Sequence, residues 1–85
     1  MNKKITVRSI TGQSSYCILS GDKDLEKQLN NWYFGSDDPQ NGVCVRFNGI
    51  KLDVVDYYHD DRMASFDVVS IEDTNEATLL KWIDI

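Results

Sequence analysis

Eighty-five residues, 41% hydrophobic and 27% charged, describe one small globular domain over residues 1–85 with a modest core, and exclude a disordered acidic tail. The formal charge of -5 is unevenly carried: from Asp53 to Ile85 nine carboxylates stand against Arg62 and Lys81, a net of -7, while the first 52 residues carry a net of +2. Such a field steers a partner of opposite sign and disfavours wholesale binding to phosphates.

No apolar run approaches the roughly 20 residues that span a bilayer, so no membrane segment is expected. The basic start Met1-Asn2-Lys3-Lys4 leads into Arg8, Ser9, Thr11 and Gln13 and not into an apolar signal core, so the chain reads as cytoplasmic. Cys17 and Cys44, without a secretion signal, are then expected to be buried and reduced. Eleven Asp against three Glu, with only two Ala, favour many turns and little helix.

Taken in chain order, Lys4 to Ile10 alternates in polarity, Thr11 to Ser15 breaks the pattern, and Tyr16 to Leu19 resumes an apolar run. That is a first hairpin. Ser20-Gly21-Asp22 supplies turn and N-cap chemistry, and Leu25, Leu29 and Trp32 follow at i, i+4 and i+7, predicting a helix over residues 22–34. Gly35 and the run Ser36 to Gly42, which includes Pro39, cannot continue it.

Asn48-Gly49 is the preferred pair for a two-residue hairpin tip. With those two at the tip, Phe47 faces Ile50, Val45 faces Leu52 and Val43 faces Val54, all on one side. The other side then sets Arg46 against Lys51, an unfavourable like-charge pair unless Asp53 reaches across. His59 to Arg62 reads as a further turn. In the strand Met63 to Ile71 both alternations, Phe66/Val68 and Val69/Ile71, are apolar, which predicts cover on both faces. Asp73 to Glu76 then opens either a short helix or a last strand, and Thr78, Trp82, Ile83 and Ile85 favour the strand. The expected fold is α+β, a small antiparallel sheet of five to six strands packed on one helix.

Chemistry-bearing patterns are sparse. The lone His59 lies among Tyr57, Tyr58, Asp60 and Asp61, but a zinc site needs three or four converging ligands, and no nucleophile motif flanks either cysteine. Asp22 to Glu26 begins like a calcium loop, yet Lys27 and Tyr33 occupy the positions that require glycine and glutamate. The five glycines are scattered singly, so no phosphate loop exists. No catalytic residue, cofactor or metal is assigned, and the chain is not expected to be an enzyme.

Two binding readings remain. In the first, Asp53, Asp56, Tyr57, Tyr58, Asp60 and Asp61, with Tyr33 from the Trp32-Tyr33-Phe34 cluster, contact a basic partner protein that handles nucleic acid. Spaced carboxylates imitate a phosphate backbone, and tyrosine is enriched at interface centres. Immunity proteins of nuclease toxins and phage anti-defence inhibitors share this small, acidic, non-enzymatic profile, though no motif links them to this chain. In the second, Lys3, Lys4, Arg8, Arg46 and Lys51 form a basic face that binds nucleic acid directly, with Tyr16 or Phe47 stacking on bases. Asp53 and Asp56 have opposite parity in one strand, so the acids share a face only if a bulge intervenes.

Overall fold

A computed structural model describes residues 1–39 and 41–85. Six strands and one helix follow in the order β1 (Asn2–Ser9), β2 (Ser14–Leu19), α1 (Leu25–Phe34), β3 (Val43–Phe47), β4 (Lys51–Asp56), β5 (Asp61–Thr74) and β6 (Leu79–Asp84). All strand pairs are antiparallel in one sheet of order β3-β4-β5-β1-β2-β6. This is an α+β fold. Among the described residues no helix is long and apolar enough to cross a membrane.

The helix is fixed at both ends by its own sequence. Asp24 is the N-cap and accepts the Lys27 N–H at 2.9 Å, and Gly35, at φ +79°, turns its N–H back to the Asn31 carbonyl. Gln28 clamps the preceding loop by accepting the Ser20 N–H and donating to the Ser20 carbonyl. Leu29 is fully buried, with Leu25, Trp32 and Phe34 packed beside it against Ile5, Val7, Cys17, Leu19, Val45 and Leu52.

Position decides what the helix does for the sheet. The edge strand β3 would leave backbone donors unpaired, which invites association with other strands. Two side chains one turn apart on α1 satisfy them: Glu26 accepts the Phe47 N–H and Asn30 accepts the Val45 N–H. At the opposite edge, among the described residues, β6 pairs with β2 alone.

Three sequence expectations need correction. The central hairpin pairs Phe47 with Leu52, Val45 with Val54 and Arg46 with Asp53, two residues away from the expected register. Gly49 and Ile50 form the tip, and Asn48 sits before it with its side chain accepting the Ile50 and Lys51 N–H groups. The like-charge clash disappears, because Arg46 now faces Asp53 and Lys51 pairs with Asp67. Side-chain parity survives a two-residue slip, so Val45 and Phe47 keep the inner face while Ile50 is exposed.

The second correction concerns β5. It is one strand of 14 residues, pairing with β4 through Asp61–Asp67 and with β1 through Phe66–Thr74. Its apolar residues at both parities reflect register shifts at Met63 and Val69, which are exposed, and not cover on both faces. Val7 pairs with Val68 and Thr6 with Ser70, leaving Val69 as an extra residue, and Val54 pairs with Ala64 and Val55 with Arg62, leaving Met63. Both extra residues are exposed, and past Val69 the inward parity switches from Phe66 and Val68 to Ile71. Third, the turn before β5 is Tyr57–Asp60, so Asp61 and Arg62 already belong to the strand. The final segment is strand β6, and residues 75–78 connect it to β5.

Candidate functional site

Where β4 leaves the sheet and β5 enters it, three of the sequence-selected acids and both tyrosines come together. Asp56 and Asp61 are direct cross-strand partners, Asp60 lies between them at φ +54°, and Tyr57 and Tyr58 project from the same turn, 49% and 75% exposed. Opposed like charges at a strand end work against stability. The turn partly offsets this at Asp56, whose carboxylate accepts the Tyr58 and His59 N–H groups and meets His59 Nδ1 at 2.8 Å. The His59 side-chain hydrogen bond is the largest influence on Asp56, and with the His59 backbone N–H, the imidazole charge and the Tyr58 N–H it holds the carboxyl below its ordinary value against desolvation, the second largest. Asp60 and Asp61 stay exposed.

The neighbouring loop locks this end in place. The Tyr57 N–H donates to the Gly42 carbonyl, and the Tyr58 ring lies so close to Gly42 that a Cβ there would sit 2.6 Å from a ring carbon. Gly42 also has φ +78°, where side chains are strained. A crevice of about 220 Å³ beside it is lined by Asp37, Arg46 and Tyr57 together with Glu26 and Asn30 of the helix. Arg46 stands 5.7 Å from the Tyr57 ring centroid. Asp37 is therefore a further acid of this region, beside Glu26, that sequence reasoning passed over. Its signal was its place beside a glycine-containing loop, which gave no direction in space.

The remaining selected acid and aromatic lie elsewhere. β4 itself has no inserted residue, so Asp53 points to the sheet face opposite that of Asp56; it faces Arg46 and accepts the Ser65 hydroxyl at 2.6 Å. Tyr33 sits at the end of α1 among Trp32, Phe34, Phe66 and Trp82.

The basic set is also divided. Lys3 pairs with Asp73 on the inner-face parity of β1, whereas Lys4 and Arg8 share the outer face with Lys51 and Arg46. Carboxylates interleave with all four: Arg46 faces Asp53, Asp67 lies between Lys51 and Arg8, and Lys4 faces Glu72. Lys4 Nζ lies 4.5 Å from the centroid of Tyr16, over the ring expected to stack on bases, and Phe47 packs against the core.

Both thiols are buried and free, and burial pushes Cys17 up to about 12, so near neutral pH it is almost wholly the thiol. His59 is exposed at the turn and Cys17 fully buried in the core. Among the described residues no group of three His, Cys, Asp or Glu side chains is placed to hold a metal ion. No protein family, curated protein or solved structure matches the chain.

Proposed function

We infer that this chain is a small, non-enzymatic acidic binding protein that occludes a basic surface on a partner protein, with the β4–β5 turn as its contact surface. The reading rests on the opposed Asp56/Asp61 pair set beside two exposed tyrosines. Confronting two carboxylates destabilises a folded chain, an effect that the turn offsets only in part and at Asp56 alone, while an Arg- or Lys-rich groove relieves that repulsion and meets flat aromatic anchors. A partner that handles nucleic acid fits best, since its phosphate-binding groove already has the required charge. An inhibitor, immunity or anti-defence role follows from blocking that groove.

The alternative, a nucleic-acid surface on the outer face, draws on Lys4, Arg8, Arg46 and Lys51 lying on one side of the sheet. The carboxylates between them oppose phosphate contact, which makes it the weaker reading.

The test compares wild type with Asp60→Asn/Asp61→Asn and with Tyr58→Ala as affinity baits in nuclease-treated lysate, followed by binding kinetics on the recovered protein. Wild type is expected to retain a basic protein. The double variant associates about three- to tenfold more slowly with a flatter salt dependence, and Tyr58→Ala dissociates faster. Unchanged kinetics in both variants, or partners that vanish with nuclease, would overturn the reading.

A further inference from the structure

On the inner face, away from the acidic turn, a cleft of about 130 Å³ opens between five side chains. Val7 of β1 and Ser15 of β2, which pair directly, form its floor; Phe66 of β5 and Trp82 of β6 stand on either side; Tyr33 at the end of α1 covers it. Tyr33 and Trp82 both pack against Trp32 with tilted rings, at 5.1 and 5.7 Å between ring centroids. Those contacts anchor two walls from behind and leave the space between the walls open. Trp82 and Phe66 are partly buried while Tyr33 is 39% exposed, so Tyr33 is the lining ring most open to solvent.

Three aromatic rings around one small cleft have a specific electrostatic character, because the negative faces of aromatic rings attract cations. Among the described residues no basic side chain lines it, and an anion adjoins it: Asp84 Oδ1 accepts the Ser15 hydroxyl at 3.0 Å. The surrounding C-terminal segment carries the chain's excess of carboxylates. A primary ammonium would need acceptors for three N–H donors, whereas the lining side chains bring two hydroxyls, of which that of Ser15 is already bonded to Asp84. A quaternary ammonium has no N–H to satisfy, is bulky and weakly hydrated, and is the cation aromatic boxes hold best. Size agrees, since a cavity of roughly 150 Å³ holds benzene and a trimethylammonium head has fewer heavy atoms.

We propose that the cleft formed by Val7, Ser15, Tyr33, Phe66 and Trp82 is a binding box for a trimethylammonium group. This site is independent of the acidic turn, so its failure leaves the proposed partner contact untouched. The test titrates isotope-labelled protein with choline and with its neutral analogue, dimethylbutanol, in which carbon replaces nitrogen, at matched ionic strength. The Trp82 indole N–H resonance serves as reporter. Choline is expected to give saturable shifts centred on Trp82 and Tyr33 at concentrations where the alcohol gives none. Tyr33→Leu, at a half-exposed position that the core does not need, weakens choline binding about three- to tenfold with the fold intact. Phe66→Leu acts in the same direction. A peptide carrying trimethyllysine separates sources: tighter binding than choline, lost in the unmodified lysine peptide, assigns the group to a protein, and equal binding assigns it to a free small molecule. Equal response to the alcohol, no saturable response to any quaternary ammonium, or full affinity in Tyr33→Leu would overturn the proposal.

Discussion

Asn30 is 4% exposed, yet both ends of its amide are in use: Oδ1 accepts the Val45 N–H at 2.8 Å and Nδ2 donates to the Ser36 carbonyl at 3.1 Å. It joins the helix to the edge of the sheet and to the loop that carries Asp37. Truncation to alanine would strand a buried donor on β3 and an acceptor in the loop, each costing about 1–3 kcal/mol. Asn30→Ala is therefore expected to lose about 2–4 kcal/mol in urea unfolding, while Asn31→Ala, one position along on the exposed side, stays within about 0.5 kcal/mol. Equal losses would show that the Val45 bond contributes nothing. Trp32 is the opposite case, since its Nε1 is buried with no partner among the described residues. From the sequence, Asn30 carried no assigned role. Its partner lies 15 residues away across a loop, and no local pattern encodes that contact.

At the scale of elements, local periodicity located the strands but not their registers. The stripe Leu25, Leu29 and Trp32 marked the helix's inner face because three side chains on one helical face have no other way to leave water. The hairpin tip was misjudged because Asn-Gly fits a tip while Asn alone also closes a turn from outside, through its side chain. What decided between them is charge on the neighbouring strands, where Arg46 faces Asp53 and Lys51 reaches Asp67 on β5. In β5 the apolar residues at both parities had two explanations, burial on two faces or an inserted residue, and periodicity alone does not distinguish them. The register shift at Val69 makes a sharp contrast testable. Val68 pairs with Val7 and packs on the core, whereas Val69 is 46% exposed. Val68→Thr is expected to cost about 1–2 kcal/mol by putting a hydroxyl against apolar neighbours, and Val69→Thr less than about 0.5 kcal/mol. If the two midpoints in urea shift equally, the residue left out of the ladder is not Val69.

Over the whole molecule the charge excess was plain in the sequence, but its division was not. Some carboxylates are tied to cations within the sheet: Lys3 bonds Asp73 and Lys51 bonds Asp67, and these hydrogen bonds, then the ammonium charges themselves, hold both carboxyls below their ordinary 3.8. Asp56 is lowered by His59 at the turn. Others, such as Asp60 and Asp61, are exposed at the acidic end. A carboxyl lowered in the folded state binds its proton later than in the unfolded chain, so between its folded value and 3.8 the unfolded state holds more protons. The stabilisation is thus complete above the unfolded value and is lost as pH falls through the folded values. Stability measured by urea unfolding should accordingly be flat from about pH 7 to about pH 5 and decline below about pH 4. Asp67→Asn/Asp73→Asn should flatten that acid limb while leaving a chain that folds, because both side chains are largely exposed and the paired strands keep their ladder. Salt should act the same way on wild type by screening these exposed pairs, and only weakly on the double variant. A wild type that gains stability on acidification would mean instead that repulsion among the carboxylates of the acidic end, Asp56 against Asp61 foremost, outweighs the ion pairs within the sheet.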